Sequence, residues 1–135
     1  MTAPVPYLHF AGDAASALRY YRDVFGGELQ LYTFGDFGHD GSDGSDPALI
    51  QHGELRGPVD LFGADTGGEE DVLRDAPGVS FALLGAADAA VSAAWFDRLA
   101  AAGTVVDALQ KRPWGDYDGR VRDQHGITWL IGYKP

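Results

Sequence analysis

Cysteine is absent from the 135-residue sequence. Disulfides, thiolate metal sites and cysteine nucleophiles are therefore excluded together. No stretch reaches the roughly 18 consecutive apolar residues that a membrane-spanning helix needs. The opening residues, Met1-Thr2-Ala3-Pro4-Val5, have neither the positive charge nor the apolar run of a signal peptide, so the expectation is a soluble cytoplasmic protein. Basic residues are scarce, 10 Lys and Arg against 20 Asp and Glu, for a formal charge of −10. Nucleic acid and anionic membranes require clustered cations, so neither is an expected partner. Two catalytic signatures are also missing. Gly41-Ser42-Asp43-Gly44 lacks the lysine and the strand–helix setting of a phosphate-binding loop, and no G-x-S-x-G nucleophile elbow occurs.

What is present supports a folded core. Hydrophobic residues make up 45% of the chain and aromatics 12%, enough for one compact domain of this length. Val5 to Phe10 reads as a strand, broken by Gly12-Asp13. Asp13 is placed to cap a helix from Ala14 to Phe25, whose apolar stripe is Leu18, Tyr21, Val24 and Phe25. Gly26-Gly27 stops that helix, and Glu28 to Phe34 alternates as a second strand. Residues 35–47, rich in Gly, Asp and Ser, read as a mobile acidic loop, a lid rather than a calcium site, because the spacing does not fit an EF-hand. A hairpin follows over Ala48 to Arg56 and Val59 to Gly63. Residues 65–77 form a linker between halves.

The order then repeats. Val79 to Leu84 is a strand, Asp88 a cap, Ala89 to Ala102 a helix, and Gly103 its stop. Thr104 to Leu109, Gly119 to Arg122 and Ile127 to Tyr133 are three more strands. A shift of 75 carries Asp13 onto Asp88, Tyr20 onto Trp95 and Tyr21 onto Phe96. A shift of 69 carries Gly57 onto Gly126, Leu61 onto Leu130 and Gly63 onto Gly132. Duplication of one βαβββ module explains this order. A four-stranded sheet with a helix on one face leaves the other face exposed. The expected fold is therefore α+β, two modules (about 4–64 and 78–134) pairing into a curved mixed sheet around a cleft, with helices on the outer face.

Several segments then match one family as an ordered set. They are Pro6-Tyr7-Leu8-His9-Phe10, Gly12-Asp13, Tyr21-Arg22-Asp23-Val24-Phe25-Gly26-Gly27-Glu28, His52-Gly53-Glu54-Leu55, Trp114-Gly115-Asp116, Gly119-Arg120-Val121-Arg122-Asp123, Gly126 and Trp129. Over nearly its whole length the chain resembles the PhnB-like branch of the vicinal oxygen chelate superfamily, which includes glyoxalase- and bleomycin-resistance-like proteins. The resemblance implies a homodimer that takes a small molecule. In metal-dependent members, a His or Glu on the first and last strand of each module surrounds a divalent ion. By strand alignment those positions are Pro6, Leu61, Phe81 and Leu130, none of which can coordinate a metal. Asp60 is one residue from Leu61 and would restore only one ligand. No metal cofactor is expected unless the ligand positions are misaligned.

Candidate cleft residues are Phe10, His52, Glu54, Trp114 and Arg120. His52 and Glu54, two apart on a strand, share a face; they are half a metal site, an acid–base pair, or simply a hydrogen-bonded surface pair. Arg120 and Arg122 share a face near Trp114, Asp116 and Tyr117. Arg120 can hold an anionic or carbonyl group and Trp114 can stack on a planar one, while Arg122 can also pair with Asp123 or Glu54. His9 is expected under or beside the first helix. Three functions stay open: a metal-free small-molecule binder, an enzyme (metal-dependent, or metal-free through Glu54, His52 or Arg120), and a ligand-free structural dimer.

Overall fold

The computed structural model describes residues 3–66, 68, 71–74 and 76–135. The chain divides into two compact units, residues 1–73 and 74–135. The division falls inside the expected linker, of which residues 67, 69, 70 and 75 lie outside the described residues.

Module one runs β1 (Tyr7–His9), α1 (Ala14–Phe25), β2 (Glu28–Thr33), β3 (Ile50–Arg56) and β4 (Leu61–Ala64). Its strands lie in the order β1-β4-β3-β2, with β1 and β4 parallel and the other pairs antiparallel. Helix α1 packs on one face. Its stripe of Leu18, Tyr21, Val24 and Phe25 is buried as the spacing predicts. Gly26, at φ 79°, ends it and donates its N–H to the Arg22 carbonyl at 2.7 Å. The helix sits close because β3 offers a glycine beneath it. Gly53 and Gly63 are opposite each other, and a Cβ on Gly53 would lie 2.6 Å from Leu18 Cδ1.

The start of α1 differs from expectation. Asp13 makes no side-chain cap, because its backbone (φ −114°, ψ 20°) is not in the extended conformation that turns a capping side chain toward the helix. Asp65, just past β4, does the work instead. Its Oδ1 accepts the N–H groups of Gly12 and Ala14, both at 2.9 Å, and its Oδ2 accepts that of Ile50 at 3.0 Å.

Module two repeats the plan: β5 (Phe81–Leu84), α2 (Ala89–Ala101), β6 (Thr104–Lys111), β7 (Tyr117–Arg122) and β8 (Thr128–Tyr133), in the order β5-β8-β7-β6. Both modules are open four-stranded mixed sheets with one helix each, the α+β class that the repeat implies. Here the cap reading holds. Asp88 is extended (φ −69°, ψ 173°) and accepts the Val91 N–H at 2.8 Å. The β6–β7 hairpin is longer than its sequence suggests because Arg112 ties its two arms, bonding Asp107 at 2.6 Å and Asp118 at 2.7 Å. Between β7 and β8, Asp123 is 4% exposed. It accepts the His125 and Ile127 N–H groups at 2.8 and 3.2 Å and the Trp129 indole N–H at 2.8 Å.

The acidic loop 35–47 is ordered by local bonds. It opens with a 3-10 turn, Gly35–Phe37. Asp40, Asp43 and Asp46 then each accept an N–H two residues on. The Ser42 and Ser45 bonds hold the Asp40 and Asp43 carboxyls below their ordinary range. Among the described residues, no helix is long and apolar enough to cross a membrane.

Candidate functional site

Strand parity decides which side chains meet on the sheet face of module one that α1 leaves uncovered. Gly53 lies under Leu18, so its neighbours His52 and Glu54 point to the opposite face. Phe62 is in register with Glu54 and with Tyr7, which brings both onto that face. Tyr32, opposite His52 on β2, joins them. His9 also lies here, with its ring 5.2 Å from that of Tyr7 and its Nδ1 3.1 Å from Thr66 Oγ1. It is not beneath the helix, because Leu8 is the β1 residue that turns inward.

A continuous polar chain crosses this face. The Tyr7 hydroxyl is 2.9 Å from His52 Nδ1, and His52 Nε2 is 3.0 Å from Glu54 Oε1. Arg56 Nε donates to Glu54 Oε2 at 3.2 Å while its guanidinium rests 4.7 Å from the centre of the Phe62 ring. Hydrogen bonds from His52 and Arg56 hold the Glu54 carboxyl below its ordinary range, so it is ionised at neutral pH. An ionised Glu54 requires the neutral imidazole to carry its proton on Nε2. Nδ1 then accepts the Tyr7 O–H. Burial, with the nearby Glu54 charge second, pushes the Tyr7 phenol up and keeps it protonated.

Aromatic rings frame the chain. Tyr7 and Tyr32 both stack on His52, at 5.6 and 6.5 Å, and Phe62 meets it edge-on at 5.9 Å. Tyr7 and Tyr32 remain 40% and 38% exposed. The face therefore offers flat apolar surface beside a phenolic oxygen whose proton is already committed. Such an oxygen accepts a hydrogen bond from a ligand.

The other candidate residues go elsewhere. Phe10 is 4% exposed and belongs to the module's core, its backbone N–H held by the Ala64 carbonyl, so it does not line an open surface. Arg120 lies on β7 in a shallow groove with Val106, Arg122 and Thr128. Trp114 lines a different groove, so sequence proximity did not bring it to Arg120.

The residues at the usual ligand positions do not gather as donors. Leu61 is 1% exposed on the helix-covered face, and Phe81 shares the covered face of module two with Trp129. Pro6 precedes β1 and serves through its carbonyl, which accepts the Phe62 N–H. Leu130 is opposite Arg120 on the uncovered face. On the first and last strands of each module, the described side chains turned away from the helix include Tyr7, His9 and Phe62 in one module and Ala82, Leu84, Thr128 and Leu130 in the other. The polar ones among these are Tyr7, His9 and Thr128. Asp60 accepts the Gly57 N–H at 3.0 Å and so closes the β3–β4 turn. Within neither module do three His, Asp or Glu side chains gather among the described residues. The side chains at the four usual positions, Pro6, Leu61, Phe81 and Leu130, carry no metal-ligating atom.

A duplicated βαβββ chain, with one four-stranded sheet and one helix in each module, has the architecture of the vicinal oxygen chelate kind. The chain belongs to the Glyoxalase/Bleomycin resistance protein/Dioxygenase superfamily, whose model matches residues 5–131. It is 31% identical to Protein YjdN of Escherichia coli strain K12 over 139 residues, covering 93% of this chain and 91% of that one. Among solved structures it resembles protein PA1353 from Pseudomonas aeruginosa, with a TM-score of 0.78 and 26% identity over 99% of this chain and 98% of the other. The fold is also that of a PhnB protein from Bacillus cereus described as a putative 3-demethylubiquinone-9 3-methyltransferase. That match has a TM-score of 0.74 and 16% identity, covering 98% and 99% of the two chains.

Proposed function

We propose that this protein is a small-molecule-binding member of its superfamily that works without a metal ion. Its ligand is a small planar aromatic molecule bearing an O–H or N–H donor, seated on the uncovered face of module one. The observation that carries the reading is the Tyr7–His52–Glu54–Arg56 chain, which fixes one hydrogen-bond acceptor beside stacked aromatic surface. Fixed polar groups within an apolar surround are the usual composition of a ligand site. A homodimer in the cytoplasm belongs to the same reading. Its mass by light scattering is expected near twice 14.4 kDa.

A thermal-shift screen of planar phenols, anilines and aromatic acids tests the ligand class. A ligand at 100 times its Kd stabilises the fold by about 2.7 kcal/mol. Tyr7→Phe and His52→Ala are each expected to weaken a hit at least tenfold, and hits indifferent to both changes refute the site. Protein stripped with a chelator and refilled with nickel, zinc or manganese is expected to retain no ion by elemental analysis. Stoichiometric uptake would refute the metal-free reading.

A second reading rests on the same chain. A carboxylate, an imidazole and a phenol joined end to end can move a proton, with Tyr7 as the group that meets substrate. Under this reading Tyr7→Phe abolishes turnover of a bound compound while leaving its affinity within a few-fold.

A further inference from the structure

Trp95 and Trp129 are buried at 3% and 1% exposure, whereas Trp114 is 69% exposed. Its turn is nevertheless braced. The Arg112 N–H bonds the Asp116 carbonyl at 2.7 Å, the Gly115 N–H bonds the Arg112 carbonyl at 2.9 Å, and the Arg112 side chain grips both arms of the hairpin. Gly115 is at φ 103°, a conformation that side-chain-bearing residues rarely adopt. An indole held outward on a fixed turn is a poor surface residue and a good ligand platform.

The indole borders a groove of about 410 Å3 that runs to the ends of β5 and β8, where Tyr117 and Tyr133 stack with ring centres 5.1 Å apart. That volume suits a small organic molecule. The charge of its lining chooses among ligands. Asp88, Asp116 and Asp118 face a single ammonium, that of Lys134. Asp118 is paired with Arg112 and Asp88 caps α2, but the Asp116 carboxylate takes no part in the Arg112 clamp. An anion would meet net repulsion here. An organic cation gains from the carboxylate and from the indole face, the best of the aromatic side chains for a cation.

We propose that this groove of module two is a second binding site, specific for aromatic organic cations. It stands apart from the module-one site in residues and in ligand charge. Benzyltrimethylammonium serves as probe and benzenesulfonate as its anionic counterpart. The readout is the three indole N–H resonances of the full-length protein, with that of Trp114 assigned by its loss in Trp114→Phe. The cation is expected to shift the Trp114 resonance saturably, and benzenesulfonate is expected to leave it in place. Trp114→Ala should weaken binding, measured by calorimetry, about tenfold. Asp116→Asn should weaken it roughly threefold and flatten its salt dependence. The His52→Ala protein should bind the probe as the native one does, whatever becomes of the module-one site. Equal shifts by both ions, or indifference to Asp116→Asn, overturn the choice of charge. A shift that never saturates, or one confined to the other two indoles, overturns the site.

Discussion

The carboxylate of Asp123 receives the indole N–H of Trp129 at 2.8 Å, with both residues almost wholly buried. The same carboxylate holds the β7–β8 turn through two backbone N–H groups. Replacing Asp123 with Ala leaves these donors without their charged acceptor and should cost about 3 kcal/mol. Asp123→Asn keeps an acceptor and should cost less. Urea unfolding gives the stabilities, and a red-shifted tryptophan emission in the Ala variant would show that the indole has been disturbed.

Asp65 gives a matched comparison with Asp13. Asp65→Ala should destabilise the protein by about 2 kcal/mol, because three N–H groups lose a charged acceptor. Asp13→Ala removes no cap and should stay within roughly 0.5 kcal/mol. Denaturation of the two variants side by side measures both. Equal losses would show that the helix start depends on its own aspartate after all.

The pH dependence of Glu54 has a definite sign. Its carboxyl in the folded protein sits below the ordinary value of 4.5, first because His52 and then because Arg56 donates to it. On acidification the unfolded chain takes up this proton first. The contribution of Glu54 is therefore present above the ordinary value and lost as pH falls through the lowered folded one. The stability difference between native protein and Glu54→Gln should shrink steadily as pH drops from about 5 toward 3. Parallel stability–pH curves through that window would contradict it.

Gly53 tests how closely α1 sits on its sheet. A methyl group there would meet Leu18 Cδ1 at 2.6 Å and Leu31 Cδ2 at 3.0 Å. Gly53→Ala should cost about 1–3 kcal/mol through overpacking. Gly68→Ala, where nothing among the described residues lies within 4 Å, should be close to neutral. Thermal midpoints distinguish the two.

Much of the fold was legible because its signals are local. The stripe of α1, the glycine stop after it, the Asp88 cap and the shared face of His52 and Glu54 all depend on residues a few positions apart. Relationships across long sequence distances were not. The Asp65 cap reaches back 51 residues. The side of β1 that faces the helix, misjudged for His9, is fixed by the register of β1 with β4. A one-residue change of parity exchanges the two faces of a strand, so Leu61 is inside and Phe62 outside. Tyr7 as partner of His52 was missed for the same reason. Its odd-numbered place beside His9 was the available signal, once the inward residue was known to be Leu8.

The two helix starts also differ in when they can be completed. Asp88 immediately precedes α2, so that helix has its cap as soon as its first turn is synthesised. Helix α1 receives its cap from Asp65, and the nascent chain must deliver the whole of β4 before the helix start is closed. Contacts between distant residues form later than those between neighbours. Two modules of one topology thus differ at their helix starts, α1 waiting for β4 to bring its cap and α2 carrying its own. In each, the first strand finds its partner only when the last strand arrives.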